Sequence, residues 1–437
     1  MYMVTCQKCG VSSEYAEGFI KRGALGAEMF CPPCWQSKQR RNFILAWTAY
    51  FAGGLLGLLL YVDDPDLWFA SVLMLLWLLQ VFLAITIIPH ELGHALIARW
   101  LGWRVFRIVI GMGKTCARCR FAGFDFDWRP VLLGGMTLIA PRNLAWFRMK
   151  LFASVLAGLL VNVALGAAML LFYPWQEIGA FDLDYLPSVP KLFLFANTLV
   201  VLLNLWPRTW KQFGIEVPSD GKQLLKAFFV KKTFAEEKHA AYFVMEGYEA
   251  LYRHNSDEAR LWVERGLERY PEDFNLLNAQ GAVAIQRQDF TLARQSFLQL
   301  LARENLKPIQ RYVVANNLAY VDALTGSAEW FDEANRLSLE AYSGLPWAPF
   351  AIGTRGTVLV EHGELNEGIA LLERAFKETE DVLAKAENAC FLAVAECRRG
   401  DSTRAKHYLA LAEKLNPASF LLPRAQSAVH SLPAVQD

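Results

Sequence analysis

The chain has 437 residues, of which 54% are hydrophobic and only 20% are charged. This composition excludes an intrinsically disordered chain and argues against a wholly water-soluble one; at roughly 150 residues per domain, the length predicts about three domains. The 44 basic and 43 acidic side chains leave a net charge of +1, so the chain lacks the overall basic excess that favours nucleic-acid binding.

The N-terminal segment carries two cysteine pairs. Cys6 and Cys9 form one C-x-x-C motif, and Cys31 and Cys34 form the second. Two such pairs are typical of a structural zinc site with four thiolate ligands, which leaves no open position for catalysis. We therefore predict a zinc ribbon over residues 1–40, suited to protein contact more than to nucleic acid. The first residues contain no apolar run of the kind that marks a signal peptide. We therefore expect the N-terminus to lie in the cytoplasm.

Four apolar stretches have the length or composition of membrane-spanning helices. They cover residues 43–62, 67–89, 151–173 and 191–206. The connector at 99–150 is rich in Lys and Arg, whereas the connector at 174–190 has acidic residues and no Lys or Arg. Because basic connectors stay on the cytoplasmic side, this pattern predicts cytoplasmic termini. We predict a four-span domain over residues 41–230 of a multi-pass protein, in a bacterial inner membrane.

A His-Glu-x-x-His motif stands at the end of the second apolar stretch, at His90, Glu91 and His94. On a helix, positions i and i+4 share a face, so both imidazoles can reach one zinc ion while the Glu carboxylate flanks the remaining position. Zinc activates water for attack on a carbonyl carbon, and a neighbouring carboxylate takes the proton. The predicted orientation brings Asp220 to the same side of the membrane, as a candidate third ligand that leaves one position open.

The basic connector, taken as residues 100–149, contains strand-like segments. WRVFRIVIG, TCARCRF and FDFDWRP are rich in β-forming or alternating residues and predict two or three short strands. In LLGGM, which follows, paired glycines would let the backbone approach a partner closely, without a side chain in the way. Cys116 and Cys119 fall in one segment, where their spacing would direct the thiols to opposite faces of a strand and disfavour joint metal binding.

The region from residue 231 to residue 437 has a repeated helical pattern. Small residues recur about every thirty-five positions, at Gly247, Gly281, Ala319, Gly356 and Ala393, and a second series follows them at Ala259, Ala293, Ala334, Gly368 and Ala405. The pattern resembles tetratricopeptide repeats, and it predicts an α-solenoid whose concave face holds a protein or peptide; the alternative is an irregular helical domain. Cys390 and Cys397 lie on a repeat helix, and we expect them in its core.

Between the second apolar stretch and Asp220, the ordered motifs resemble the site-2 protease family of intramembrane zinc metalloproteases. The matching segments are HELGHALIARWLGWRV, LLGGM, AGLLVN, and NLWP followed by SDG. The resemblance implies that His90, His94 and Asp220 bind a catalytic zinc ion and that Glu91 is the general base. It also implies a transmembrane or membrane-anchored protein as substrate. From the strand-like pattern, we hypothesise that an unwound substrate pairs with an edge of the strands at 103–130.

Two asparagines within these motifs have roles that the sequence leaves open. Asn162 lies in AGLLVN and Asn204 in NLWP. Either side chain could donate a hydrogen bond to the oxyanion or to the substrate backbone. Packing between helices is an equal alternative for both.

The predicted fold is mainly α: a polytopic membrane helical core with a small membrane-associated β-sheet, an N-terminal zinc ribbon and a C-terminal α-solenoid. The predicted function is hydrolysis of a peptide bond of a membrane-anchored protein, within or next to its transmembrane segment, with one catalytic and one structural zinc ion. One alternative is a proteolytically inactive membrane scaffold that recruits proteins through its repeats. Another is a membrane metalloenzyme that acts on a small amide or ester.

Overall fold

The computed structural model describes residues 3–13, 15, 19–22, 28–64, 67–113, 115–172, 189–212 and 215–431. The chain divides into two compact units. We call Lys38–Tyr242 the apolar unit, and Met1–Ser37 together with Phe243–Asp437 the repeat unit. Residues 174–188 of the predicted acidic connector at 174–190 lie outside the described residues.

The N-terminal part of the repeat unit consists of two small antiparallel sheets. Strand β1 (Val4–Thr5) pairs with β2 (Ser12–Ser13), and β3 (Ile20–Arg22) pairs with β4 (Glu28–Phe30). Such short strands bury little apolar surface, so a fold of this size needs another source of stability, such as a structural metal.

The apolar unit contains a helix at each of the four predicted apolar stretches. These are α1 (Pro32–Asp63), α2 (Trp68–Trp100), α3 (Phe147–Phe172) and α4 (Val189–Leu205). By length and composition, Trp68–Trp100 and Phe147–Leu171 are able to cross a membrane, while Trp47–Asp63 and Pro190–Leu205 are shorter apolar helices. That all four cross a membrane stays a prediction.

Helix α2 continues well past the predicted apolar stretch, which ends at residue 89. Hydropathy falls at the sequence Pro-His-Glu, yet the helix runs on with Pro89 inside it. Packing against the rest of the unit stabilises the turns that follow, since Ala95 and Ala98 are fully buried. The His-Glu-x-x-His motif therefore lies within a continuous helix, as its spacing requires.

A four-stranded sheet packs on the last turns of α2. Its strands are β5 (Arg104–Met112), β6 (Ala117–Phe121), β7 (Phe124–Trp128) and β8 (Val131–Ala140), in the order β6-β7-β5-β8. Strands β5 and β7 are parallel, and the other two pairs are antiparallel. Ile108 and Ile110 pack in one cluster with Ala95 of α2. We predicted two or three strands and the sheet has four, because LLGGM belongs to a further strand, β8.

The last apolar helix is followed by a hairpin and a short helix. Strands β9 (Thr209–Gln212) and β10 (Ile215–Pro218) are antiparallel, and α5 (Asp220–Phe228) begins immediately after Ser219. This connection returns the chain to the end of α4 and positions the first residue of α5.

From Lys232 onward the chain is a series of helix pairs, the first helix of which begins in the apolar unit and ends in the repeat unit. The bounds are α6 (Lys232–Tyr252), α7 (Ser256–Arg269), α8 (Phe274–Gln286), α9 (Phe290–Leu301), α10 (Pro308–Thr325), α11 (Phe331–Gly344), α12 (Pro349–Glu361), α13 (Leu365–Glu378), α14 (Val382–Arg399), α15 (Ser402–Leu415) and α16 (Leu422–His430). The first series of small residues falls on α6, α8, α10, α12 and α14, and the second series falls on the partner helices. Ala259, Ala293 and Ala405 of the second series are fully buried where the helices meet. The mainly α fold with a small sheet and helical repeats is confirmed.

Candidate metal centre

The two motif histidines point into the interior of the apolar unit. His90 and His94 are one helical turn apart on α2, and they are 4% and 8% exposed. Their Nε2 atoms are 3.1 Å apart. Two imidazole nitrogens this close and this buried are suited to share one cation.

Asp220 completes the cluster from the first residue of α5. Its Oδ2 lies 3.1 Å from His90 Nε2 and 3.5 Å from His94 Nε2. Ser219 caps α5 by accepting a hydrogen bond from the Lys222 amide, and its hydroxyl donates to the carbonyl oxygen of Trp206 at 2.8 Å. Ser219 thereby fastens the start of α5 to the end of α4. The structure brings Asp220 to His90 and His94, although more than a hundred residues separate it from the two histidines in sequence.

A glycine follows Asp220 for a steric reason. A Cβ atom built on Gly221 would overlap the carbonyl oxygen of Leu205. Only the absence of a side chain lets the start of α5 lie directly against the end of α4, and this contact explains why the Asp-Gly pair follows the NLWP segment.

The residues present fit a catalytic zinc ion. Two imidazole nitrogens and one carboxylate oxygen lie within 4.8 Å of one another, and this donor set leaves a coordination position for water or substrate. Helix α3 leaves room for the imidazoles at Gly158, where a Cβ atom would overlap the His94 ring. His90, His94 and Asp220 would hold the ion.

Hydrogen bonds to the other ring nitrogens fix both imidazoles. His90 Nδ1 lies 2.6 Å from Asn162 Oδ1, and His94 Nδ1 lies 2.8 Å from the carbonyl oxygen of Ser154. Each Nδ1 thus donates to an oxygen, and a neutral ring held in this way presents an unprotonated Nε2 to the cluster. The Asn162 amide in turn donates to Asn197 Oδ1 at 2.8 Å.

The two asparagines predicted as oxyanion or packing residues therefore differ in placement. Asn162 contacts His90 through its oxygen and α4 through its nitrogen. Asn204 donates to the carbonyl oxygen of Val200 on its own helix, at 3.0 Å. Asn197 and the Ser154 carbonyl have no motif around them, so neither was predicted from the sequence. For Asn197, a polar amide inside an apolar helix was the available signal.

Glu91 is buried beside the cluster, and strand β8 passes over it. The residue is 6% exposed, and Thr137 Oγ1 donates to Glu91 Oε2 at 2.7 Å. A Cβ atom on Gly135 would lie 2.5 Å from Glu91 Cγ. The predicted close approach at LLGGM is thus an approach of the backbone to Glu91, while the contact from Thr137 was not predicted.

The four N-terminal cysteines form a second cluster, in the repeat unit. Ligand atoms of Cys6, Cys9, Cys31 and Cys34 lie within 4.8 Å of one another. The first pair is on a tight turn, in which the Gly10 amide donates to the Cys6 carbonyl at 2.9 Å. Four thiol groups in this arrangement fit a structural zinc site, as the spacing predicted.

The remaining cysteines occupy different environments. Cys116 and Cys119 are exposed, and both contact Trp128: its indole donates to Cys119 Sγ at 3.2 Å, and its carbonyl accepts from Cys116 Sγ at 3.1 Å. Cys116 precedes β6, so the expected direction of the two thiols to opposite faces of one strand does not apply. Cys390 is buried in the repeat core and Cys397 packs against the same cluster.

Comparison with known proteins places most of the chain in one family. Residues 78–382 match the profile of peptidase family M50. A TPR repeat-containing protein of Pseudomonas aeruginosa is 26% identical over 129 residues, which are 29% of this chain and 21% of that protein. The chain thus covers about a fifth of the length of that relative. This likeness, with the helix pairs described above, confirms tetratricopeptide-like repeats.

Solved structures similar to part of the chain are also TPR proteins. A thermophilic TPR protein of Thermus thermophilus is 20% identical, with a TM-score of 0.36, over 44% of this chain and 99% of that chain. The TPR2AB-domain:pHSP90 complex of yeast Sti1 is 13% identical, with a TM-score of 0.19, over 44% of this chain and 96% of that chain.

Proposed function

Because the chain belongs to peptidase family M50 and is therefore a membrane metallopeptidase, we propose that it is a zinc endopeptidase that cleaves a membrane-anchored protein within or beside its transmembrane segment. The observation that carries this proposal is the convergence of His90, His94 and Asp220 next to Glu91, at the end of an apolar helix. Two imidazoles and one carboxylate are the ligands of a hydrolytic site, and a scaffold would have no use for them.

The proposed roles follow from the contacts of each side chain. His90, His94 and Asp220 would hold a zinc ion, which would supply the Lewis acid that activates water and polarises a peptide carbonyl. Glu91 accepts the proton of the attacking water and passes it to the departing amide nitrogen. Thr137 holds Oε2 of Glu91, so we assign the proton transfer to Oε1.

The sheet supplies a place for an extended substrate segment. Peptide bonds in a helix are shielded and hydrogen-bonded, so cleavage requires local unwinding of the substrate. Strand β8 is the terminal strand of its sheet and contains Thr137, which contacts Glu91. We propose that an unwound substrate segment pairs along β8, and not along the strands at 103–130, because β8 is the terminal strand nearest the general base.

The other parts of the chain complete the proposal. All four apolar helices would cross a bacterial inner membrane, with both termini in the cytoplasm. The cysteine cluster would hold one structural zinc ion in a ribbon over residues 1–40. The repeats over 231–437 would bind a protein or peptide, which is the use that such solenoids make of their concave face.

The first test is replacement of Glu91 by Gln in the purified full chain, assayed on candidate membrane-anchored substrates. Because general-base catalysis contributes roughly 10²–10⁴-fold, we expect cleavage to fall at least a hundredfold with zinc content unchanged at two ions per chain. Glu237→Gln, which alters an exposed carboxylate of α6, is the matched control and should cleave normally.

Two results would contradict the proposal. One is cleavage by Glu91→Gln at the rate of the control. The other is a single zinc ion per chain that is lost on replacement of the N-terminal cysteines and retained on replacement of His90.

A further inference from the structure

A groove with a basic rim lies beside the first turn of α3, away from the metal centre. It has a volume of about 440 Å³, and the residues that line it include Trp146, Phe147, Arg148, Lys231 and Lys232. The described lining residues include no Asp or Glu. The groove therefore presents three cations and no acidic group of its own.

The floor of the groove is apolar and well packed. Phe147 and Val230 belong to one buried cluster with Trp103, and the rings of Trp103 and Phe147 stack at 5.4 Å. Arg148 donates from Nη2 to the carbonyl oxygen of Val230 at 2.7 Å, which fixes the guanidinium at the rim. Lys232 lies 3.6 Å from Glu236, and its side chain is 87% exposed. A pair so exposed is weak in water and leaves the ammonium able to bind another anion.

Large apolar side chains beside the groove are exposed. This apolar band consists of Trp146, Met149, Leu225, Phe228 and Phe229, each more than half exposed. The band joins two elements, because the ring of Phe228 on α5 meets Phe152 on α3 at 5.4 Å. It adjoins the first residues of α3, one of the two helices long and apolar enough to cross a membrane.

We propose that this groove binds the phosphate headgroup of an anionic phospholipid. Aromatic residues next to basic ones at the end of a membrane helix match the chemistry of the interface, where acyl chains meet charged headgroups. The apolar band contacts the acyl region, and Arg148, Lys231 and Lys232 bind the phosphate. A lipid here would steady α5, which has Phe228 at its last residue and Asp220 at its first. This inference does not depend on proteolysis.

The test measures lipid retained by the purified full chain. Native mass spectrometry in a neutral detergent would compare phosphatidylglycerol with phosphatidylcholine of the same acyl chains. We expect the protein to retain phosphatidylglycerol preferentially, and Lys231→Ala/Lys232→Ala to weaken that retention about tenfold to thirtyfold, since each basic residue near an anionic surface contributes about fivefold. Lys231→Arg/Lys232→Arg should keep the preference. Lys406→Ala/Lys414→Ala, which removes two exposed charges from α15, is the matched control and should change nothing.

Several results would overturn the inference. These are equal retention of the two lipids, an equal effect of the two alanine pairs, or loss of the preference in the arginine variant. Displacement of phosphatidylglycerol by an excess of inorganic phosphate would identify a site for a free anion instead. A change in the oligomeric mass of Lys231→Ala/Lys232→Ala, with lipid retention unchanged, would identify a contact between two copies of the chain.

Discussion

At the scale of single residues, the centre contains ligands that the sequence predicts and supporting groups that it does not. His90, Glu91 and His94 are readable because a spacing of four residues on one helix has the same geometry in any fold. The prediction of Asp220 as a ligand required the order of the motifs along the chain and the predicted orientation in the membrane. The contact between Asn162 and His90 depends on the rotation of α3 against α2, and neither helix specifies that rotation by its own residues.

Replacement of Asn162 by Ala should weaken zinc binding at the catalytic centre. The second hydrogen bond of a ligating imidazole fixes its ring and tautomer, and loss of such a partner typically costs 10- to 100-fold in metal affinity. Titration of the purified protein with a chelator should therefore remove the catalytic zinc at a concentration lower by about that factor. Asn204→Ala is the matched control, because Asn204 bonds only within its own helix among the contacts described. Equal chelator sensitivity of the two variants would argue against an orienting role.

At the scale of elements, local sequence patterns predicted where the helices form. They did not predict how the small elements pack against other parts of the chain. The repeat helices follow from a periodic signal that each pair carries within itself. The contact of the ribbon with the repeats joins distant parts of the chain, and no local pattern reports it. Ser13 Oγ donates to the Gly344 carbonyl at 2.7 Å, and the ring of Phe19 meets that of Trp347 edge to face at 5.1 Å.

Replacement of Trp347 by Ala should loosen the ribbon from the repeats. Trp347 is partly buried and packs against the buried cluster that contains Cys6, Phe19 and Cys31. Truncating a fully buried Trp costs about 3–5 kcal/mol, which is an upper value here. We expect hydrogen exchange to quicken at least tenfold over residues 4–13, where the Cys6 amide bonds to Val11 at 2.8 Å. Trp262→Ala, on α7, should leave the ribbon amides unaffected. Unchanged exchange in the Trp347 variant would show that the ribbon holds its structure without this contact.

At the scale of the whole molecule, the net charge of +1 does not reveal that some acidic groups of the repeat unit are buried. Asp322 and Glu396 are both fully buried, and burial raises the pKa of each carboxyl group. The sequence around Asp322, YVDALTG, is that of an ordinary helix end. Its burial arises because Arg294 of α9 covers it, with Nε at 2.9 Å from Oδ1, and this arrangement exists only when the repeats stack.

The buried Asp322 should make the stability of the repeat unit depend on pH. Burial raises its pKa from 3.8 to about 6, against the opposing effect of Arg294. Between these two values the folded state binds more protons than the unfolded state, so the free energy of unfolding falls as pH rises through the window, by up to about 3 kcal/mol. Asp322→Asn removes the titrating group, so its stability relative to the wild type should increase from pH 4 to pH 7. Denaturant unfolding of the full chain in detergent at both pH values measures this difference. Asp332→Asn changes an exposed acid near the start of α11 and should show no such trend. A wild-type and Asp322→Asn pair whose stability difference is the same at both pH values would show that folding does not raise the pKa of Asp322.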